Sequence, residues 1–474
     1  MLQQQLHREQ FAVNNRCITK TTLSLAVFLG SLSNSYAVNL DPDFSLILDG
    51  HYKSEKSALS ETDKGFGLGH VELSVSSPID DLFFGKLTAV LHTHDSKTEV
   101  EAEEAFIQTL ALPGGFSIRA GRFLSDFGYL NSQHTHADSF TERPAVYRAL
   151  LGSHYFDDGV RINYLMPTDF YWDIGAEAFS GKKMRADNIK DPQEVGVYNV
   201  FTKIGADFNH EHSWQIGFNY MRNENGVRPW NHTVETHSHH HDHEPSHDHH
   251  DEHHHNHGHH KHHDENHHHD HKHQHDHHDE KHDDHAHKHQ QKVHQHAAGS
   301  HSQHSHSHSH SHSHSHSHSH SHDHHHCHKA AYTGKDLYGV EAVWKWAPEG
   351  NYKYRNLSLS AEYLQARNIS KNKTIKSNDD KHDGWYLSSV YQFAPQWATG
   401  VRYGEFNGLK LEEDHHHKNS LQETELMLSW SHSHFSTIRL QWTHQKGKGL
   451  EHINDNIITL QYVMSLGAHD AHQF

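Results

Sequence analysis

Apolar and polar residues alternate in short runs along most of the chain, and polar breaks separate these runs. Ile438, Leu440 and Trp442 alternate with polar neighbours, and the same pattern recurs at 357–363 and 460–466. A period of two residues predicts β-strands with one apolar face and one polar face. Sixteen such strands are predicted, at residues 44–52, 66–77, 82–92, 100–112, 115–124, 157–165, 170–180, 195–208, 213–222, 336–347, 354–366, 383–394, 397–407, 420–432, 435–445 and 453–466.

The polar face of these strands carries charged residues, which a dry protein core would not accommodate. Such a face suits the lumen of an outer-membrane barrel, whose apolar face contacts lipid. Short breaks also alternate with long ones, and aromatic residues lie near strand ends. The sequence therefore predicts an all-β fold, a transmembrane antiparallel β-barrel of about 16 strands with an aqueous lumen. A soluble β-sandwich is the alternative. The charged positions are Arg119, Glu177, Glu362, Arg402 and Arg439.

The N-terminus has the pattern of a secretory signal. Basic residues precede an apolar stretch at 23–29, and the small residues Ser35 and Ala37 occupy the positions that a signal peptidase reads. This order predicts a signal peptide over residues 1–37, with cleavage after Ala37. The barrel is then expected over residues 38–474, in the outer membrane of a Gram-negative bacterium.

Histidine is concentrated in one segment, since 45 of the 66 His lie within residues 237–328, the His tract. The tract also carries acidic residues and almost no apolar ones, so it cannot bury enough surface to fold. We expect it to form a disordered, extracellular loop between the ninth and tenth strands. The formal net charge of −19 disfavours a nucleic-acid partner. With Cys17 and Cys327 as the two cysteines, a disulfide framework is excluded.

The His tract has the chemistry of a metal-binding segment. Neutral imidazole suits zinc, copper and nickel, and the interspersed carboxylates add oxygen ligands. Many weak, overlapping sites are expected, and Cys327 with its His neighbours offers one tighter site. Zinc is the expected cargo, ahead of nickel and copper. A repeat that expanded without a function and a pH-responsive polyelectrolyte are the alternatives. The candidate ligands are His239, His240, His241, His253, His254, His255, His267, His268, His269, His324, His325, His326, Cys327 and His328.

A long segment, 125–156, follows the fifth predicted strand and carries further candidate ligands. Long loops of barrels often fold inward and constrict the pore. His134, His136 and Asp138 share one face if the chain is extended there, which predicts a transient metal station. Solvated loop residues are the alternative interpretation. Similar clusters occur at His92, His94 and Asp95, and at Asp414, His415, His416 and His417.

Basic residues on the predicted strands and in segment 125–156 allow two interpretations. They form a ladder that attracts anions, or they pair with acidic residues in the lumen, and we favour the second. The predicted pore-lining residues are Arg119, Arg122, Arg143, Arg148, Glu362, Arg402 and Arg439.

Residues 120–131, AGRFLSDFGYLN, resemble the strand-and-loop segment of phosphate-selective porins. The stretch that follows contains His134 and His136 and is similar to a His-containing branch of that superfamily, identified as zinc-regulated outer-membrane proteins. The last residues, 467–474, resemble the same branch. The resemblance implies a porin-like barrel. Phosphate porins attract anions with rows of Arg and Lys, whereas this chain is acidic and His-rich, which disfavours phosphate as cargo.

These features predict an outer-membrane channel that captures divalent metal through the His tract and passes it to the periplasm by diffusion. Two alternatives stay open: a surface protein that buffers metal without transport, and a general or anion-selective porin with an incidental His-rich loop. The chain contains no recognisable enzyme motif, so we expect no enzymatic activity. The expected partners are divalent metal ions and outer-membrane lipid, and association into a homotrimer is left open.

Overall fold

The computed structural model describes residues 42–94, 97–110, 112–187, 189–227, 329–371, 379–411 and 416–467. Within these ranges, seventeen strand segments form one sheet that closes on itself through the antiparallel pairing of β1 with β17. The segments are β1 (Asp43–Lys53), β2 (Gly65–Leu68), β3 (Val71–Pro78), β4 (Phe83–His94), β5 (Lys97–Thr109), β6 (Phe116–Leu124), β7 (Phe156–Leu165), β8 (Tyr171–Phe179), β9 (Val197–Asn209), β10 (His212–Asn223), β11 (Asp336–Trp346), β12 (Asn356–Arg367), β13 (Lys381–Ala394), β14 (Trp397–Leu411), β15 (His416–Ser433), β16 (Ser436–Lys448) and β17 (Ile457–Gly467).

β2 and β3 together occupy one position in the barrel, because both pair with β1. Seventeen segments less one make sixteen barrel strands, so the predicted fold class and strand number are confirmed. Most predicted strand bounds lie within a few residues of the observed ones. The hairpin of β14 and β15 is longer than predicted, since Lys410 pairs with His417 and Leu411 with His416. These two histidines therefore lie in a strand, whereas Asp414 and His415 fall outside the described residues.

The exposed face of the barrel is apolar and the buried face is polar. On β17, Leu460 and Tyr462 are 47% and 42% exposed, whereas Thr459 and Gln461 between and beside them are buried. A protein in water buries its apolar side. The inverse pattern fits strands whose outer face contacts lipid and whose inner face lines a polar lumen.

The connections divide the barrel into a short-turn end and a long-loop end. Residues 395–396 and 434–435 make tight turns at one end, and residues 54–64, 125–155 and 180–196 make long connections at the other. β10 ends and β11 begins at the long-loop end, because alternate connections of an antiparallel barrel lie at the same end. The predicted signal peptide and the His tract lie outside the described residues and stay predictions.

Residues 125–155, the lumen loop, fold against the inner face of the barrel. Their helix α1 (Ala145–Leu151) is buried along its whole length, packs on β13, β14 and β15, and ends at Gly152 in a left-handed conformation. Tyr147 and Leu150 belong to one apolar cluster with Phe406 of β14. The lumen loop thus fills part of the lumen, in agreement with the predicted inward fold. In the described ranges, no helix has the length and apolarity needed to cross a membrane.

Candidate metal centre in the barrel lumen

An irregularity in β5 turns two consecutive carboxylates toward the lumen loop. Thr88 of β4 lies opposite Glu104 and Ala89 lies opposite Ala102, so Glu103 is an extra residue in this ladder. Successive residues of a regular strand point to opposite faces, and a bulge interrupts that alternation. Glu103 and Glu104 are accordingly both buried.

The break between β2 and β3 places a histidine and a glutamate beside this pair. Glu72 lies opposite residue 47 of β1 and Leu68 lies opposite residue 50, so the broken strand contains one residue more than β1 here. The backbone amide of His70 donates to the Asp49 carboxylate at 3.3 Å. The break thereby brings His70 and the buried Glu72 to the same part of the wall.

The lumen loop supplies three further histidines. His134 and His136 lie just before and within the turn Thr135–Ala137, and their stacked rings have centroids 5.7 Å apart. His154 approaches from the other end of the loop, and its ring lies edge-on to that of His70 at 5.1 Å. Side chains from three separate parts of the chain therefore meet in one cluster.

Arg143 holds the two ends of the lumen loop together. Its Nη2 donates to the Gln133 carbonyl at 2.6 Å and its Nη1 to the Ser153 carbonyl at 3.3 Å. Its Nε donates to Asp138 Oδ2 at 2.9 Å. Because Gln133 and Ser153 each precede a histidine of the cluster, Arg143 positions these histidines without contacting them.

His134 lies at the centre of the cluster. Its Nδ1 is 3.0 Å from Glu103 Oε2 and 3.3 Å from Glu72 Oε2, and its Nε2 is 2.9 Å from Glu104 Oε2. Burial alone lowers the pKa of His134, but the three carboxylates outweigh it and raise that pKa well above its ordinary value. An imidazole with a carboxylate at each nitrogen carries both protons. Lys86 adds a second positive charge beside the three carboxylates, with its Nζ 2.7 Å from Glu104 Oε2.

Two groups of side chains in the described ranges bring their ligand atoms within 4.8 Å of one another. Zinc bonds of about 2.0–2.2 Å in a tetrahedral site place ligand atoms about 3.3–3.6 Å apart. The observed separations are close to that: 3.3 Å from His134 Nδ1 to Glu72 Oε2, and 2.9 Å from His136 Nδ1 to Glu72 Oε1. The donor set therefore fits a borderline divalent ion after small shifts. The groups are Glu72 with His134 and His136, and His70 with Glu72 and Glu103.

Two cavities flank this cluster. The outer cavity lies toward the long-loop end and the inner cavity toward the short-turn end. The turn Thr135–Ala137 contributes to both, so it lies between them together with the cluster. The outer cavity is lined by His51, Lys53, His70 and Thr135, among others. The inner cavity is lined by Ser45, Ser74, Glu104, His134 and His136, among others.

The predicted trio is corrected at one position. His134 and His136 lie together, but Asp138 turns away to pair with Arg143, and Glu72 of the wall takes its place. The prediction assumed an extended chain, whereas Thr135–Ala137 forms a 3-10 turn that changes the direction of Asp138. The backbone of His92 and His94 belongs to β4. The candidate ligands of the His tract fall outside the described residues.

The predicted pore-lining arginines are mostly neutralised. Four of the six pair with carboxylates, three of them inside the barrel as the interpretation we favoured holds, while Arg119 and Arg439 bond the side chains of Gln108 and Gln461. Arg122 is a correction, because it lies opposite the exposed Ala105 of β5 and is therefore on the outer face together with Asp158. Glu362 faces the lumen but is covered by the lumen loop, since it accepts hydrogen bonds from Tyr147 and Tyr386. The four pairs are Arg122 with Asp158, Arg143 with Asp138, Arg148 with Glu423, and Arg402 with Glu425.

Sequence reasoning missed the wall side of the cluster. One residue separates His70 from Glu72 in the sequence, which is the spacing of two side chains on the same face of a strand. This spacing could have indicated a pair of ligands on the wall. Glu103 and Glu104 are adjacent, and in a regular strand one of them would face lipid. The bulge that places both in the lumen depends on pairing with β4, so the sequence carries no local signal for it.

Comparison with known proteins gives similarity without a family assignment. No family model matches the chain. A protein of Aquifex aeolicus described as uncharacterized is 24% identical over 478 residues, covering 91% of this chain and 80% of that protein. Among solved structures, the trimer form of Vibrio cholerae OmpT has 8% identity and a TM-score of 0.46, covering 90% of this chain and 99% of that one. An anion-selective porin from Comamonas acidovorans has 9% identity and a TM-score of 0.46, covering 90% and 100%. The outer membrane channel DcaP of Acinetobacter baumannii has 9% identity and a TM-score of 0.45, covering 90% and 97%.

Proposed function

We propose that this protein is an outer-membrane channel through which a divalent metal ion, zinc first, diffuses to the periplasm. The observation that carries the proposal is the set of five possible ligands in the cluster, on the inner side of a closed barrel. They are His70, Glu72, Glu103, His134 and His136. A metal ion that moves between the outer and inner cavities passes these side chains. The metal is cargo, bound transiently and released.

The chemistry of the cluster favours zinc over magnesium or calcium. Imidazole nitrogen and carboxylate oxygen together suit zinc, copper and nickel, whereas magnesium and calcium prefer oxygen alone. The buried carboxylates of Glu72, Glu103 and Glu104 face Lys86 and protonated His134 in the metal-free protein. An entering ion replaces the His134 proton as their partner, so the site exchanges one cation for another.

The His tract supports the same function from outside the cluster. Its 45 histidines provide many weak sites, which raise the metal concentration without holding the ion firmly. We propose that the tract is extracellular, and the location of the ends of β10 and β11 that flank it in the chain, at the long-loop end, supports this. Weak binding of metal by the His tract, followed by binding at the cluster in the lumen, suits uptake by diffusion. Expression under the control of zinc, which the resemblance implies, fits this role.

An anion-selective channel is less well supported. Such a channel needs unpaired basic residues along the lumen. Here Arg143, Arg148 and Arg402 each face a buried carboxylate, so their charge is compensated. A non-transporting metal buffer remains the alternative, and it needs no cluster between two cavities. We expect no enzymatic activity, and a homotrimer in the membrane is compatible with the barrel.

The test is single-channel conductance of the purified protein in a planar bilayer, with zinc added from one side. We expect stable conductance steps that zinc blocks at micromolar concentration. His134→Ala and Glu72→Gln should raise the half-blocking zinc concentration, because each removes a ligand. His432→Ala, an exposed histidine near the short-turn end, is the matched control and should block like the parent protein. Steps that ignore zinc would refute a metal channel, and a folded barrel without steps would favour the buffer.

A further inference from the structure

Glu72 and Glu103 each approach one imidazole of the stacked pair His134 and His136 and one imidazole of the edge-on pair His70 and His154. Glu72 Oε1 is 2.9 Å from His136 Nδ1 and 3.8 Å from His70 Nδ1. Glu103 Oε2 is 3.0 Å from His134 Nδ1, while Glu103 Oε1 is 2.7 Å from His154 Nε2. A carboxylate with this arrangement is placed to bridge two metal ions.

We propose that the cluster binds two divalent ions at once, in series along the lumen, with Glu72 and Glu103 as bridging carboxylates. This inference rests on the proposed function and specifies how its site works. The inner ion is held by His134 and His136, and the outer ion by His70, with His154 adjacent. Glu72 and Glu103 contribute an oxygen to each ion.

The two positions face different cavities. His70 lines the outer cavity, whereas His134 and His136 line the inner cavity. The edge-on contact of His70 with His154, at 5.1 Å, keeps the outer imidazoles together, and the stacked pair at 5.7 Å keeps the inner imidazoles together. An ion arriving from the long-loop end therefore meets the outer position first and leaves from the inner one.

Double occupancy provides the release that a buried site otherwise lacks. Two divalent ions bring four positive charges to three carboxylates, those of Glu72, Glu103 and Glu104, and Lys86 adds a fifth. The ions repel each other at short range, so entry of the second weakens the hold on the first. Conduction through multi-ion channels uses the same displacement between adjacent sites.

The experiment is anomalous X-ray diffraction at the zinc absorption edge, on crystals of the full-length protein grown with zinc. We expect two anomalous peaks in the lumen cluster, separated by about 3.5–4 Å as in carboxylate-bridged two-metal sites. His136→Ala should remove the inner peak, and His70→Ala should remove the outer one. Glu72→Gln, which keeps the shape of the side chain, should remove both peaks. His432→Ala is the control and should leave both.

Single-channel conductance of the same variants separates this inference from the proposed function. One peak in the parent protein, with zinc still blocking the channel, overturns the two-ion site and leaves the metal channel standing. No peak and no zinc effect overturn both. Two peaks that His70→Ala and His136→Ala fail to remove selectively also overturn the inference, because the ligand assignment would be wrong.

Discussion

Arg143 joins the two ends of the lumen loop without contacting the cluster, and its substitution tests whether the loop positions the proposed metal ligands. Arg143→Lys keeps the charge but loses the fork that reaches Asp138, Gln133 and Ser153 together. A lysine ammonium cannot donate to three separated acceptors in the geometry of a guanidinium. The two ends of the loop then separate, although no ligand has been removed.

The expected size of the effect follows from the contacts that are lost. Groups that orient metal ligands without binding the ion typically change affinity about 10–100-fold when they are substituted. That range corresponds to about 1.4–2.8 kcal/mol. It agrees with the loss of one hydrogen bond from a charged donor, about 1.5–3 kcal/mol. We therefore expect Arg143→Lys to raise the half-blocking zinc concentration by about 10–100-fold.

Asp138 is the matched comparison, because its spacing predicted a ligand and the structure makes it the partner of Arg143. Asp138→Asn keeps an oxygen that accepts from Arg143 Nε, so we expect zinc block to weaken less than in Arg143→Lys. The assay for both is the zinc dependence of single-channel conductance, with His134→Ala as the variant that removes a ligand. If Asp138→Asn weakens block as strongly as His134→Ala while Arg143→Lys has no effect, Asp138 is a ligand and the reasoning is refuted.

Two further predictions concern the docking of the lumen loop. Glu362→Ala leaves the buried hydroxyls of Tyr147 and Tyr386 without their acceptor, so the loop should loosen and trypsin should cleave within it while the barrel stays folded. Tyr147→Phe removes the 2.7 Å bond to Glu362 and the 3.2 Å bond from the Leu130 amide but keeps the carboxylate, so it should give weaker cleavage. Equal resistance in both variants would contradict the docking role. Burial alone raises the pKa of Glu142, but Lys53 and Arg148 outweigh it and hold that pKa below its ordinary value. The resulting stabilisation is complete above the ordinary carboxyl pKa of about 4 and is lost as the pH falls through the lowered value. Cleavage by pepsin, which is active in acid where trypsin is not, should therefore increase in strong acid, and in Glu142→Gln this pH dependence should be lost.

The apolar outer face and the polar inner face of the barrel could be predicted from the sequence, because they follow from the local alternation of residues. Lipid outside and a polar lumen inside impose alternation on each strand separately, so the residues of β17 reveal their two faces without reference to β16. The His tract was likewise identified from composition alone, because 45 of the 66 histidines lie within residues 237–328. The inward fold of residues 125–155 was expected from their length and position.

The cluster itself combines local and non-local features. His134 and His136 were found from their spacing, since two histidines so close in sequence lie near each other in most backbone conformations. Asp138 was assigned wrongly, because a turn at Thr135–Ala137 and the 2.9 Å salt bridge with Arg143 redirect it. Spacing limits where a side chain lies, but a buried charge goes to the partner that compensates it.

The sequence by itself determined a barrel with a polar lumen, a His-rich insertion and two of the cluster histidines. Tertiary structure alone decided the carboxylates of the cluster, because Glu103 and Glu104 face one side only through a bulge against β4. Glu72 meets His134 only because the lumen loop docks on this part of the wall. The bulge in β5 and the docking of the lumen loop both depend on contacts between residues far apart in the chain. The whole barrel sets the pairing register of its strands and the position of the loop, so the local sequence does not reveal them.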